Sequence, residues 1–279
     1  MRLGDAPESG NFEDRTGQRG GGGGGLGGGL IGLLLPIVAS RFGIIGVLLL
    51  VLGYCALTSF GGGGGGSPTT SGESRLTAEQ QRVLVGTLVS TEKVWGQIFQ
   101  QAGATYRPTK LVAYTGGNRS GCGEAQAAMG PFYCPSDQSI YIDPTFFDEL
   151  TRRFKAPGDA AQAYVVAHEV GHHIQNLQGT LERAQSSQAR SSAAAGNAVQ
   201  VGVELQADCY AGVWAKRSGL LEAGDIEEGM RAAEAIGDDM LTKGRVSPDN
   251  FTHGTSAQRR EALNRGLSGG DPAQCNYAR

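Results

Sequence analysis

Residues 42–60 form an uncharged, largely apolar run of 19 residues with a glycine tract on each side, at 20–29 around Leu26 and at 61–66. A run of that length matches the ~20 residues a helix needs to cross the ~30 Å hydrocarbon layer of a membrane. Glycine tracts are flexible spacers rather than folded structure. The pattern predicts a transmembrane helix over 42–60. Residues 30–40 are apolar too, but extending the span back through Arg41 and Pro36 buries a charge and a helix breaker in lipid. Arg2, Arg15, Arg19 and Arg41 precede the run and the next basic residue is Arg75, so the positive-inside bias places the N-terminus in the cytoplasm and the rest of the chain outside. The 41 residues ahead of the run are too many for the charged region of a cleaved signal peptide. Bulky Tyr54 also stands where a lipoprotein site at Cys55 takes a small residue. The expected organisation is a Gly-rich cytoplasmic segment over 1–41, one membrane helix over 42–60, a Gly/Ser-rich linker over 61–75 and a folded domain over 76–279.

Composition narrows the partners of that domain. The chain has 279 residues, 39% hydrophobic and 18% charged, which is globular rather than disordered in class. Its formal net charge of -3 leaves no basic stripe to neutralise a run of phosphates, so nucleic acid is not an expected partner. The expected lipid contact is the single helix. Cys122, Cys134, Cys209 and Cys275 all fall in the proposed outer domain, and an even number suits two disulfides in an oxidising compartment. Three pairings are open. Cys122 with Cys134 and Cys209 with Cys275 is the preferred one, since the first closes a short Gly-rich loop and the second ties down the C-terminus; four buried thiols is the alternative.

Within the domain, Thr77 with Gln80 three residues later is a capping box that opens a helix through about residue 101. Residues 110–114 and 139–143 are β-like, and 132–134 can pair with the latter as a hairpin across 135–138. The loop over 115–123, rich in Gly, Asn and Ser, is expected at the surface. Asp159 with Gln162 can cap a helix to about residue 177, with Gly179 as its stop. Residues 183–196 read as a polar, Ala/Ser-rich excursion, helical or mobile, followed by a helix over 198–218 stopped by Gly219, a third over 225–240, and a last one opened by the Thr255–Gln258 capping box and ending near residue 267.

The chain has four histidines, and three fall in the segment 167–173, AHEVGHH, an H-E-x-x-H match inside the predicted helix 159–177. At 3.6 residues per turn, His168 and His172 lie one turn apart on one face, so both imidazoles can reach one zinc ion. Glu169 lies beside that face and can take a proton from a zinc-activated water without being a ligand. A chance match on a surface helix is the plain alternative. It is disfavoured by Val165, Val166, Ala167, Val170 and Ile174, which mark the stretch as buried, where unpaired titratable groups are expensive. His173 is turned about 100° from His172 and reads as a packing or supporting histidine. A catalytic site wants a third protein ligand. Gln175 and Gln178 stand where a metzincin would have its glycine and third histidine, which excludes that arrangement. Glu204 and Asp208, one turn apart on the helix 198–218, fit better: Glu204 as third ligand, and Asp208 as acceptor from the far nitrogen of a liganding histidine. Their roles can be exchanged, and a solvated acidic face is the structural alternative. His253, in a His-Gly-Thr turn, is a candidate donor to a developing oxyanion, or simply a loop anchor. Tyr210 and Arg259 are further candidate donors.

Several segments together resemble the bacterial neutral zinc metallopeptidase family. They are 120–123 (SGCG), 130–135 (GPFYCP), 164–173 (YVVAHEVGHH), 204–212 (ELQADCYAG), and His253-Gly254-Thr255 followed by Gln258-Arg259. The resemblance spans about 76–275 and implies a Gly-rich N-terminus, one membrane span and a gluzincin-like, zincin-like peptidase domain. The expected fold is therefore α+β, a small antiparallel or mixed sheet beside several helices with the active-site helix under the cleft. The expected activity is hydrolysis of a peptide or protein substrate by a membrane-anchored enzyme with one zinc per chain, its water activated by the metal and Glu169 acting as base and then acid. Two other readings stand beside it: an envelope scaffold that keeps zinc but cleaves nothing, and a zinc hydrolase of a non-peptide amide.

Overall fold

A computed structural model describes residues 1–4, 8–18, 73–222 and 224–278. The transmembrane helix expected over 42–60 lies outside them. No helix among the described residues is long and apolar enough to cross a membrane.

The architecture is α+β. A four-stranded mixed sheet has the order β1 (Phe12–Asp14), β2 (Lys110–Ala113), β6 (Ser139–Ile142), β5 (Phe132–Cys134). The first two pairings are parallel and β5 runs antiparallel to β6, with Tyr133 opposite Ile140. The hairpin expected over 132–143 is thus present, and β5 is an edge strand. Residues 115–123 depart from the expected loop: β3 (Gly117–Ser120) and β4 (Gly123–Gln126) form a separate two-stranded hairpin. Its position is tied by the Cys122–Cys134 disulfide, and Cys209–Cys275 is the second. Both pairs are the preferred ones.

Strand β1 comes from the segment 1–41, where no folded element was expected. Its register places Phe12 beside Leu111 and Asp14 beside Ala113. Thr16 Oγ1 accepts from the Arg75 backbone N–H at 2.8 Å, so the chain on either side of residues 17–74 meets at one point. Residues 12–14 are therefore part of the same folded body as the domain that begins near residue 73.

Eight α-helices accompany the sheet among the described residues. The helix α1 (Ala78–Gln101) begins at the Thr77–Gln80 capping box. The unanticipated α2 (Thr145–Arg152) precedes α3 (Asp159–Leu177), the central helix. Gly158, not Asp159, occupies the N-cap of α3, at φ 118°, and makes no side-chain cap. The Asp159 carboxylate is instead 3.0 Å from the Met1 amino group. The polar excursion contains α4 (Thr180–Gln188), which leads into α5 (Ala193–Ser218). The single helix expected over 225–240 is two, α6 (Asp225–Ala235) and α7 (Asp238–Thr242), broken at Gly237, which lies so close to Ser256 that a side chain there would collide with it. The last helix, α8 (Ser256–Gly269), opens at the Thr255–Gln258 capping box.

Almost every side of α3 is buried, as its nearly continuous apolar sequence requires. Val166, Val170 and Ile174 are fully buried in one core cluster with Leu111, Ile140 and Ile142 from the sheet, and with Leu84, Leu88 and Trp95 from α1. That core fixes α3 in rotation, and with it the direction of every polar side chain the helix carries.

Candidate metal centre

The two histidines and the glutamate predicted as ligands come together. A helix turn separates His168 from His172 on α3, and their rings stand edge-on, 4.7 Å between centroids. Helix α5 crosses where Gly171 faces Ala207: a β-carbon at Gly171 would lie 2.9 Å from the Ala207 carbonyl oxygen. This backbone-to-backbone approach brings Glu204 over the pair. His168 Nε2 is 3.2 Å from Glu204 Oε2, and His172 Nε2 is 3.7 Å from Oε1. Three ligand atoms each ~2.1 Å from a tetrahedral zinc stand ~3.4 Å apart. The spacing fits one ion, and the three side chains converge within 4.8 Å. The donor set, two neutral imidazoles and a carboxylate, suits zinc.

The electrostatics are those of a buried charged cluster. Burial opposes ionisation of Glu204, but the two imidazoles and Arg259 outweigh it and hold its carboxyl well below the usual carboxylate range. Burial also opposes a charge on His168, yet Asp208 and Glu204 overcome it and push that imidazole up to about 10. Without a metal, His168 therefore holds a proton in the place where the ion would sit.

Asp208 stands where it was predicted, accepting from His168 Nδ1 at 2.8 Å. It is fully buried and supported by Arg259, whose Nε and one terminal nitrogen each donate to it at 2.9 Å, and by the Tyr164 hydroxyl at 2.5 Å. Burial raises the cost of its charge, and Arg259 with His168 more than offsets that, so its carboxyl is held down. Such a pair breaks even only when its oxygens are hydrogen-bonded, as both Asp208 oxygens are here. Arg259, considered above as an oxyanion donor, is thus committed to Asp208 and to the Ile236 carbonyl.

Glu169 is buried, and burial pushes its carboxyl upward against the pull of the two histidines. Its Oε2 is buried with no hydrogen-bond partner among the described residues. His253 lines the same cleft as His168, Glu169, His172 and Glu204. Its Nδ1 is 3.2 Å from Asp238 Oδ1, while its backbone N–H donates to Oδ2 at 2.6 Å. Tyr210 does not line the cleft; its hydroxyl donates to Gln178 at 2.9 Å and its ring packs edge-on against Trp95. His173 is the packing histidine it was read to be: Nε2 donates to the Arg107 carbonyl at 2.6 Å and Nδ1 accepts from the Tyr133 hydroxyl at 3.0 Å. Asp238 and Gln175, which accepts from His172 Nδ1 at 2.9 Å, carried no role in the sequence analysis. Gln175 stands three residues after His172 on the same helix face, and that spacing was the available signal.

The cleft is about 870 Å³. One wall is edge strand β5 with Gly130, Pro131 and Phe132, and the lining includes Phe146, Phe154, Leu181, Ile236 and Leu241.

Fold and site together define an α+β protein with a two-histidine, one-glutamate group, His168 and Glu204 buried and His172 half-buried, able to hold a metal ion at the floor of a cleft. The chain belongs to the family described as "putative neutral zinc metallopeptidase", whose model matches residues 1–278. It is 44% identical over 288 residues to the uncharacterized protein YpfJ of Escherichia coli strain K12, covering 99% of this chain and 98% of that one. It is 40% identical over 210 residues to the uncharacterized protein Rv2575 of Mycobacterium tuberculosis strain H37Rv, covering 69% of each. No solved structure matches the chain.

Proposed function

We propose that this protein is a zinc metallopeptidase acting on extended peptides, with His168, His172 and Glu204 as metal ligands, Glu169 as general base and then acid, and His253 as a donor to the oxyanion. The observation that carries the reading is the buried, unpartnered Oε2 of Glu169 beside the ligand cluster. A site that held zinc only for structure would have no use for it, and an unsatisfied buried carboxyl costs ~1–3 kcal/mol or more. A zinc ion held there supplies Lewis acidity toward a water and a carbonyl. Burial keeps the Glu169 carboxyl more basic than an exposed one, which suits a group that must take a proton near neutral pH and return it to the leaving amine. Asp208, backed by Arg259, holds His168 by its Nδ1 and leaves Nε2 directed at the ligand cluster. Asp238 holds His253 by Nδ1 and backbone alike, leaving its Nε2 for a donor's role.

A peptide rather than another amide is favoured by the β5 edge, whose free backbone groups can pair with an extended chain. The aromatic and aliphatic walls fit bulky apolar side chains. Two disulfides favour an oxidising compartment outside the cytoplasm. The apolar run 42–60 is the proposed membrane contact.

The test is zinc content and cleavage of casein and a peptide library by the purified full-length chain, wild type against Glu169→Gln. The expected result is about one zinc per chain in both and a loss of cleavage of ~10² or more in the variant, in the range general bases contribute. Zinc in both with equal activity, or no zinc in either, overturns the reading.

A further inference from the structure

The two liganding histidines are held in different ways. His168 leans on a carboxylate and a guanidinium, whereas His172 leans on neutral amides. His172 Nδ1 is 2.9 Å from Gln175 Oε1. The Gln175 amide nitrogen donates to the Val203 carbonyl at 2.8 Å and to Gln206 Oε1 at 3.0 Å. The Gln206 amide nitrogen donates in turn to the Cys275 carbonyl at 2.7 Å. Gln175 is completely buried and Gln206 nearly so, at 7% exposure, so water cannot substitute for a missing partner. Cys275 is joined by its disulfide to Cys209, on the helix that carries Gln206 and Val203.

The direction of this chain is not arbitrary. A primary amide can be turned end for end, exchanging donor and acceptor, and the surroundings decide which way it lies. Backbone carbonyls only accept. The Cys275 carbonyl requires the nitrogen of Gln206, which turns Oε1 of Gln206 toward Gln175. The Val203 carbonyl and that Oε1 both require the nitrogen of Gln175, which turns Oε1 of Gln175 toward His172. An acceptor facing His172 Nδ1 requires the proton on Nδ1. The lone pair is then on Nε2, the atom facing Glu204. Reversing either amide sets acceptor against acceptor in the interior.

We propose that Gln175 and Gln206 are positioning residues that carry the direction set by the Val203 and Cys275 carbonyls to His172, holding it as the Nδ1–H tautomer with Nε2 free for zinc. The inference rests on the metal site proposed above, but its core, the tautomer, exists in the metal-free protein and is measured there.

Full-length chain with ¹⁵N-labelled histidine, stripped of metal, shows by long-range ¹H–¹⁵N correlation which ring nitrogen of each of its four histidines carries the proton. Where the ring nitrogen shifts show His172 to be neutral, it is expected to be protonated at Nδ1. Gln175→Met is expected to populate the other tautomer and to weaken zinc binding, by chelator competition, about 10–100-fold, the usual effect of losing such a support. Gln206→Met leaves the Val203 contact in place and is expected to give a smaller change in the same direction. Should Gln175→Met not fold, the wild-type spectrum and Gln206→Met decide. A wild-type His172 protonated at Nε2, or a folded Gln175→Met with the wild-type tautomer and zinc affinity, overturns the proposal. Absence of zinc binding in wild type counts against the metal reading alone, since the tautomer still reports on the amides.

Discussion

At the scale of single residues, the proposed metal site sets a proton against a metal ion at His168. Against the cost of burial, Asp208 and Glu204 push this imidazole up to about 10, so across the neutral range zinc bound as proposed would have to expel that proton. The sign follows. A raised histidine value means affinity rises with pH, by up to about tenfold per unit while one proton is displaced, and levels off only near the raised value. An ordinary histidine would level off near ~6.5. Zinc affinity measured by chelator competition from pH 6 to 9 is therefore expected to climb throughout; a plateau near pH 7 would show that Asp208 does not act on His168 as the distances imply. The same residue-scale economy runs through Asp208 itself, which accepts from His168, Tyr164 and Arg259. Removing one member of so buried a group leaves the others unpaired, which costs more than the pair's own net value.

At the scale of elements, the site is the crossing of α3 and α5. Glu204 can reach the histidines only because Gly171 meets Ala207 with no side chain between them. A β-carbon at Gly171 would lie 2.9 Å from a backbone oxygen and 3.0 Å from a backbone Cα, neither of which can swing aside. Gly171→Ala gains ~1 kcal/mol of helix propensity, whereas overpacking of a fixed backbone costs ~1–3 kcal/mol. The expectation is a net loss of stability on thermal melting and a zinc affinity weakened at least severalfold. A variant as stable as wild type with unchanged zinc binding would mean that this contact does not set the spacing. A second close crossing supports the first. Gly212 on α5 and Gly266 on α8 each sit against the other helix's backbone, and a β-carbon at Gly266 would run into the Cys209 carbonyl. That contact lets Arg259, near the start of α8, reach Asp208 on α5.

At the scale of the whole molecule, residues 1–19 and the domain over 72–279 are one body. Strand β1 extends the sheet, Leu111 N–H donates to the Asn11 carbonyl at 2.8 Å, and Arg15 N–H donates to the Ala113 carbonyl at 2.7 Å. A chain that leaves such a body and returns to it on the same side of a bilayer crosses it an even number of times or not at all. In intact cells carrying a Cys55→Ser chain, single cysteines introduced at the exposed positions Glu8 and Glu73 are expected to react with a membrane-impermeant maleimide from the same side. Labelling from opposite sides would show that β1 does not join the sheet in the cell.

What the sequence by itself determined was local. The H-E-x-x-H pair is legible because helical periodicity alone stacks residues four apart, and Glu204 with Asp208 follows by the same rule on a second helix. The Thr77–Gln80 and Thr255–Gln258 capping boxes each depend on four consecutive residues, and both helices start where those boxes place them. What only the tertiary structure decided depends on distant segments meeting. Arg259 reaches across 51 residues to Asp208, and Gln206 across 69 to the Cys275 carbonyl. Strand β1 is three residues long, and nothing in Phe12–Asp14 marks a strand until β2 lies beside it. Hydrogen bonds to a backbone carbonyl have no residue code, and a short edge strand takes its stability from its neighbour, so these features were settled by how the helices and the sheet pack.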